Sequence, residues 1–556
     1  MKAPDISMRK TNKLLTGTAL MGCSRLLLTF IFYFGINKLN IRTRRNTMKR
    51  VLSLLLCAAL LVTCFAGCKN NDKEKFVIPS DLLTEEGYRA EVKKLLEKEN
   101  FSNADTAALD KLGDQLKDMI VYSTNDITEC EGTTYYVSNN GNDENDGKSP
   151  ETAWATLEKV NSYIFEKGDL VLFERGGFWR GYVYAKSGVT YSAYGNGHKP
   201  KIYTSIDGAE GEWLETDTKD VYVYSKKIFK EDVCTIVFDG DGNDAKYAEK
   251  RDHNGVIKKD LDFAFQGQRA QGGKKDSQLY LKCEAGNPKD IFDTIEISYA
   301  SSTFEMDNGA ENIHINNIAM IFGSVPYSGG YFNNIKATYC VMGWHGGNFD
   351  ASGVRFCGGV GVLPDGDNIF VEHCYIYQQF DSGVTPQVAW STLTNGKEPS
   401  VFDTFVTSDC LFESCEYTLE YFSTQKDTLE NAIKNMYFGY NFCRMGGYGF
   451  GDKPAKSRYI KSWGHENTCI DCQVEYNIFD RAASQSIEVI SYDQFASGNI
   501  LTWENIPKFN NNIYIHRKGR NFATVNNVEY KFNEETHNTL EKLGFETGAK
   551  YFYAEY

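Results

Sequence analysis

Two apolar stretches open this 556-residue chain, Leu26–Ile36 and Val51–Val62. Neither reaches the roughly 20 apolar residues that a helix needs to cross a bilayer. Basic charge is scarce too. The whole chain is at −14, and beyond residue 67 it carries 49 Lys and Arg against 73 Asp and Glu. Such a surface repels nucleic acid and anionic membranes, so any basic channel has to be local. A disulfide framework is also missing. Eleven cysteines follow Cys68, an odd number at irregular spacing. Cys469-Ile470-Asp471-Cys472 has no second pair at zinc spacing. These thiols read as small buried hydrophobes, and free thiols in an exported protein fit an anaerobic habitat. The run Asp239–Asp244, "DGDGND", lacks the Glu that completes an EF-hand loop, so it reads as a solvated turn. No metal set is predicted.

The N-terminus reads as processing signal. Met48 opens "MKRVLSLLLCAALLVTCFAGC": two cations, an apolar run, then Ala66-Gly67-Cys68. This junction resembles the bacterial lipobox, with Phe65 where Leu is usual. The resemblance implies cleavage before Cys68 and lipidation of its sulfur. Residues 1–67 are therefore expected to be an upstream segment plus signal peptide, with Met48 the true start. The mature protein is expected to be exported and lipid-anchored at the bacterial cell surface or membrane, and monomeric. A tether over 68–78 follows. Residues 79–125 show two helical patterns and are expected to form an N-terminal helical cap, because a solenoid must cover its first coil.

From Glu311 the chain repeats. "NIHINNIAMIF" (312–322), "NIKATYCVMGW" (334–344), "NIFVEHCYIYQ" (368–378), "TFVTSDCLFES" (404–414), "NMYFGYNFCRM" (435–445) and "CQVEYNIFDRA" (472–482) share one pattern. Each is a strand, a polar kink and a second strand. Recurrence every 22 to 36 residues implies stacked coils carrying loops of different length. Ile318, Cys340, Cys374, Cys410, Asn441 and Asn477 fall at equivalent places and are expected to form interior ladders, about 4.8 Å per step.

Thr133–Lys199 has a strand, an Asn/Gly/Asp-rich turn, the helical "ETAWATLEKVNSYI" and then "KGDLVLFERGGFWRG". This order resembles the entry coil of secreted pectate-lyase-like proteins. The resemblance implies an all-β fold, a right-handed parallel β-helix solenoid, over 133–530. A β-rich insertion is expected at about 205–300 and a C-terminal cap at 531–556. It also implies a polysaccharide or oligosaccharide partner. "CYIYQQFDSGVTPQ" with "CEYTLEYF" resembles uncharacterised gut-bacterial β-helix glycoside hydrolases and supports Asp381 and Glu420 as site residues.

The chemistry is sought on the strand after each kink. Aligning "SGVTPQ", "YTLEYF", "YGFGDK" and "SIEVIS" on Val384, Leu419, Phe450 and Ile487 turns Thr385, Glu420, Gly451 and Glu488 outward. Glu420 and Glu488 then flank a notch at Gly451, with Asp381 as rival partner. Paired carboxylates acting as acid and as base or nucleophile cleave glycosidic bonds, and both stereochemical classes stay open at this spacing. Trp344 and His345 in "GWHGG", and Asp452, Trp463 and His465 around "KSWGHEN", are substrate-binding candidates. The expected function is glycoside hydrolysis without a cofactor. A polysaccharide lyase using Lys426, Lys453, Lys456 or Arg458, with Ca²⁺ possible, is the competing enzyme class. A non-catalytic glycan-binding or adhesion solenoid is the non-enzymatic reading.

Overall fold

The computed structural model describes residues 76–556 except 77, 81, 250–256, 266–276, 329, 350–354, 357, 363–365, 389–400, 424–431, 452–453, 465–467, 490–505 and 526–527. Cys68 and its signal, Asp452, His465, Lys426 and Lys453 lie outside the described residues.

The repeats stack as a parallel β-solenoid. A 12-stranded sheet, a 10-stranded sheet and a 7-stranded sheet wall the coils. In the first, Ile315, Ala337, Val371, Thr407, Phe438 and Val474 stand in register on successive strands. Each polar kink is one residue in the left-handed region just before the ladder position. Asn317, Tyr339, His373, Asp409, Tyr440 and Tyr476 all have φ between 52° and 57°. Only packing on both sides holds a non-glycine residue there, at roughly 1–2 kcal/mol each.

The ladders are interior, as expected. The amide of Cys374 donates to Cys410 Sγ at 3.3 Å, and that of Cys410 to Asn441 Oδ1 at 3.1 Å. Asn441 passes the pattern to Asn477, and Asn477 to Asn512, each through amide and side-chain bonds of 2.9–3.1 Å. Asn512 Nδ2 ends it by donating to Glu546. Burial pushes the Glu546 carboxyl up to about 8, so an acid proton caps the column at neutral pH. Around these ladders Ile, Val, Phe and Cys side chains from successive coils form one continuous core.

The helical patterns at 79–125 fold, but not as a cap on the first coil. Helix α1 (Glu85–Leu96) is capped by Thr84, and helix α2 (Thr106–Val121) by Asp105. Their apolar stripes, Tyr88, Val92, Leu109, Leu112, Leu116 and Ile120, pack on outward residues of the solenoid's side, including Leu411, Phe442 and Ile478. Sixteen residues at 1.5 Å rise give about 24 Å, the height of about five coils. Arg444 bonds Asp114 and Arg481 bonds Asp110, which pin α2 there. Ahead of α2, Ser102 and its neighbours pair with Tyr551 and Tyr553 on the last strand of the ten-stranded sheet. The segment thus covers the edge at the far end of the chain. The first coil is closed instead by helix α3 (Leu157–Ser162), with Trp154, Leu157 and Val160 in the core. At the other end Leu540 of helix α4 (Glu534–Lys542) and Phe545 join the same core.

Between Ser205 and Tyr299 the chain forms two four-stranded antiparallel sheets with their own apolar cluster. The Asp239–Asp244 turn is largely exposed, as expected, and through Asp241 and Gly242 it also docks this insertion. Trp344 Nε1 donates to the carbonyls of Asp241 and Gly242, and the Asp241 carboxylate pairs with Lys201 and Tyr203.

Candidate active site

The seven-stranded sheet carries the site. Its central strands are β1 (Ser382–Val388), β2 (Tyr417–Ser423), β3 (Arg458–Gly464), β4 (Ile487–Val489) and β5 (Asn521–Val525). Val384, Leu419, Ile460, Ile487 and Ala523 stack inward. The next residue on each strand points out, giving the column Thr385, Glu420, Lys461, Glu488, Thr524.

This corrects the sequence alignment at one coil. The strand between β2 and β4 is β3, not "YGFGDK", and Lys461 stands where Gly451 was expected. The apolar centre Phe450 misled the alignment. It is buried outside the coil against Trp344 and Phe380. Gly451 instead makes room for Glu416, since a Cβ at that position would come within 2.3 Å of a Glu416 carboxylate oxygen.

Glu420 and Glu488 remain two coils apart, with a cation between them. Glu420 is 5% exposed, and Lys461 Nζ lies 3.9 Å from its Oε1. The same ammonium donates to the Tyr417 hydroxyl at 3.2 Å and lies over the Tyr417 ring. Glu488 is more open and is held by Arg458 Nε at 2.8 Å. Arg458 also reaches Ser484 Oγ at 3.1 Å. The two carboxylates therefore differ: one buried beside a distant ammonium, one half-buried in a tight ion pair.

Asp381 is not brought beside Glu420. The register Ser382–Tyr417 puts Asp381 level with Glu416 on the next coil and Thr385 level with Glu420. Four residues along a strand separate the two levels, about 13 Å. Asp381 and the buried Glu416 stand level on neighbouring coils, just before β1 and β2.

Trp344 and His345 are displaced from this face. Trp344 is fully buried beneath the insertion turn. His345 is fully buried too, with Nδ1 against the Gln379 amide, and burial pushes it down to about 3, so it is neutral. Neither is a sugar platform. Trp463 lies on β3, two residues after Lys461. Lys461 and Tyr417 were missed by sequence reasoning; the signal for Lys461 was its place after the "RYI" run, had the strand been set there. Of the lyase candidates, Arg458 reaches the face as the partner of Glu488. The one His/carboxylate cluster among the described residues, Glu85, His373 and Asp409, is bridged by Arg89, which bonds both carboxylates. A cation already occupies that position.

A parallel β-solenoid with an outward carboxylate–lysine–carboxylate column is the class that fold and site define. No family model matches the chain. It is 37% identical over 101 residues to the lacto-N-biosidase of Bifidobacterium longum subsp. longum, a stretch that spans 16% of this chain and 6% of that protein. Among solved structures, a GH136 lacto-N-biosidase from Eubacterium ramulus is 13% identical over 86% of this chain and 81% of that one, with a TM-score of 0.38. XylC in complex with xylose is 11% identical over 70% and 69%, at 0.35. A rhamnogalacturonan lyase is 12% identical over 73% and 86%, at 0.27. These scores are too low to argue a shared fold.

Proposed function

We propose that this protein is a glycoside hydrolase acting on a polysaccharide or oligosaccharide, with Glu420 and Glu488 as its two carboxylates. The observation that carries the reading is the outward register Glu420–Lys461–Glu488. Two coils separate the carboxylates by about 9.6 Å at the backbone, near the upper end of the inverting spacing. In this reading the buried Glu420 is the proton donor and Glu488 the base, with Lys461 orienting Glu420. The short match to lacto-N-biosidase supports the same class. No cofactor is required for this chemistry.

One feature favours a second reading. Lys461 beside the Tyr417 hydroxyl is a base and donor pair of the kind a lyase uses, with Ca²⁺ as possible helper. Incubation with a polysaccharide panel separates the two. Hydrolysis releases reducing ends alone, and β-elimination adds absorbance at about 235 nm from the unsaturated product. Silence on both would favour a glycan-binding or adhesion role.

The protein is proposed to act as an exported monomer anchored through a lipid on Cys68. Its only membrane contact would be that anchor, since two acyl chains suffice for stable attachment. Cys68→Ala is expected to release it from the membrane fraction or leave it unprocessed, and unchanged fractionation would contradict the anchor.

A further inference from the structure

We propose that Lys199 is a carbon dioxide site, where the side-chain amine is carried as a carbamate. The proposal stands apart from the glycan reading. Lys199 is 4% exposed. It lies level with Asn317 at the corner kink, because Lys201 pairs with Ala319 two residues further along each strand. Lys199 Nζ donates to Asn317 Oδ1. Asn317 is itself fully buried, and among the described residues its Nδ2 has no acceptor. A buried donor left unpaired is costly, and an added acceptor oxygen would satisfy it.

The surroundings disfavour a cation on this nitrogen. The Asp126 carboxylate is taken by Arg175, whose Nε donates to it at 2.9 Å while another of its nitrogens donates to the Ser123 carbonyl at 2.8 Å. Arg175 thus acts on Lys199 as a second cation. The nearby thiols of Cys340 and Cys374 are held neutral by burial. Burial first, and then Arg175, push the Lys199 ammonium down to about 7. A setting that penalises a cation favours an anion at the same place, and a carbamate is that anion.

Space for the added group lies beside it. Lys199 lines a cavity of about 180 Å³, together with Lys117 of α2, His198, Lys201, Asp241, Tyr375 and Tyr377, among others. That is several times the roughly 30 Å³ of a water. The one acid there, Asp241, is already held by Lys201 and Tyr203. The step balances with CO₂ alone. The lone pair of the neutral amine attacks the carbon, one C–O π bond opens onto oxygen, and the N–H proton passes to water. The new oxygens can accept from Asn317 Nδ2 and lie in the field of Arg175. About half of Lys199 is neutral at pH 7, whereas an ordinary lysine, at about 10.4, is neutral in less than about one part in a thousand. Uptake is therefore selective for this amine.

The test is carbon-13 NMR of the full-length protein in labelled bicarbonate at about pH 7, where ordinary lysines stay protonated. Trapping with triethyloxonium and peptide mapping by mass spectrometry then locate the group. One side-chain carbamate resonance is expected, with the trapped ethoxycarbonyl group on Lys199. Lys199→Met is expected to lose both signals. Asn317→Asp, nearly isosteric, is expected to lose them as well, since a carboxylate repels the carbamate and gives the ammonium a partner. The melting temperature should rise with bicarbonate in the unaltered protein and not in Lys199→Met, because CO₂ then binds only the folded state. Mapping in the unaltered protein decides the matter even if a variant folds poorly. No carbamate, a carbamate only on the α-amino group or spread over exposed lysines, one undiminished in Asn317→Asp, or a melting temperature indifferent to bicarbonate would overturn the proposal.

Discussion

The ten-stranded and the seven-stranded sheets are two outer faces of the same coils, yet they meet their surroundings differently. On the ten-stranded face, outward Trp344, Tyr375 and Tyr377 are buried under α2, the 239–244 turn and Phe450. On the seven-stranded face, outward positions carry Glu420, Lys461, Arg458 and Glu488, charged side chains paired with one another, from the buried Glu420 to the more open Glu488. Strand alternation fixes which way a side chain points. What later covers that face decides whether it sees water. The same outward geometry thus yields a second core on one side and a candidate site on the other.

The contrast between the two faces fails first if the charged one has no chemistry. Glu420→Gln and Glu488→Gln are each expected to lower turnover by about 10²–10⁴-fold, with melting temperature held. Asp381→Asn sharpens the test: it is expected to leave turnover within a few-fold, because Asp381 stands level with Glu416 and not with Glu420. Loss in Asp381→Asn alone would move the site to that corner.

The covered face should fail in the opposite way. Trp344→Ala removes a fully buried indole and its bonds to Asp241 and Gly242. A loss of about 3–5 kcal/mol is expected in denaturant unfolding, with the specific activity of the folded fraction retained. Inside the coil, Asn477→Leu orphans groups on both neighbouring coils, at about 1–3 kcal/mol for each buried group left unpaired. Its melting temperature should fall without any change in product.

A pH-dependent effect concerns the end of that ladder. Glu546 has its folded value raised from 4.5 to about 8 by burial. A raised carboxyl binds its proton more tightly when folded, so its stabilising contribution is whole below about pH 4.5. It is lost progressively as pH rises from there through about 8. Glu546→Gln is expected to flatten stability against pH across that window. An unchanged slope would mean that Glu546 is already ionised in the fold.

Much of this was legible in the sequence because a solenoid repeats its own evidence. Six copies of one pattern located Cys374 above Cys410 and Asn441 above Asn477, and the insertion showed as a break in that rhythm. Glu420 and Glu488 were found on one column for the same reason. The failures occur where the repeat lapses. Between β2 and β4 the chain makes an excursion whose Phe450 imitates an inward residue, so Lys461 went unseen. Amphipathic α1 and α2 declare an apolar stripe but not its partner; they cover the side of the coils and an edge formed some 450 residues later in the chain. Trp344 and His345 looked exposed because a Gly-rich turn reads the same whether or not another segment lies over it.

The pairing of Glu420 with Glu488 is tested most directly by the anomeric configuration of the first product, read by proton NMR before mutarotation on whichever glycan the panel identifies. Two coils between the carboxylates leave room for a water, so inversion is expected. Retention would require carboxylates only about 5 Å apart. That result would contradict the Glu420–Glu488 pair and favour Asp381 with Glu416, which stand one coil apart.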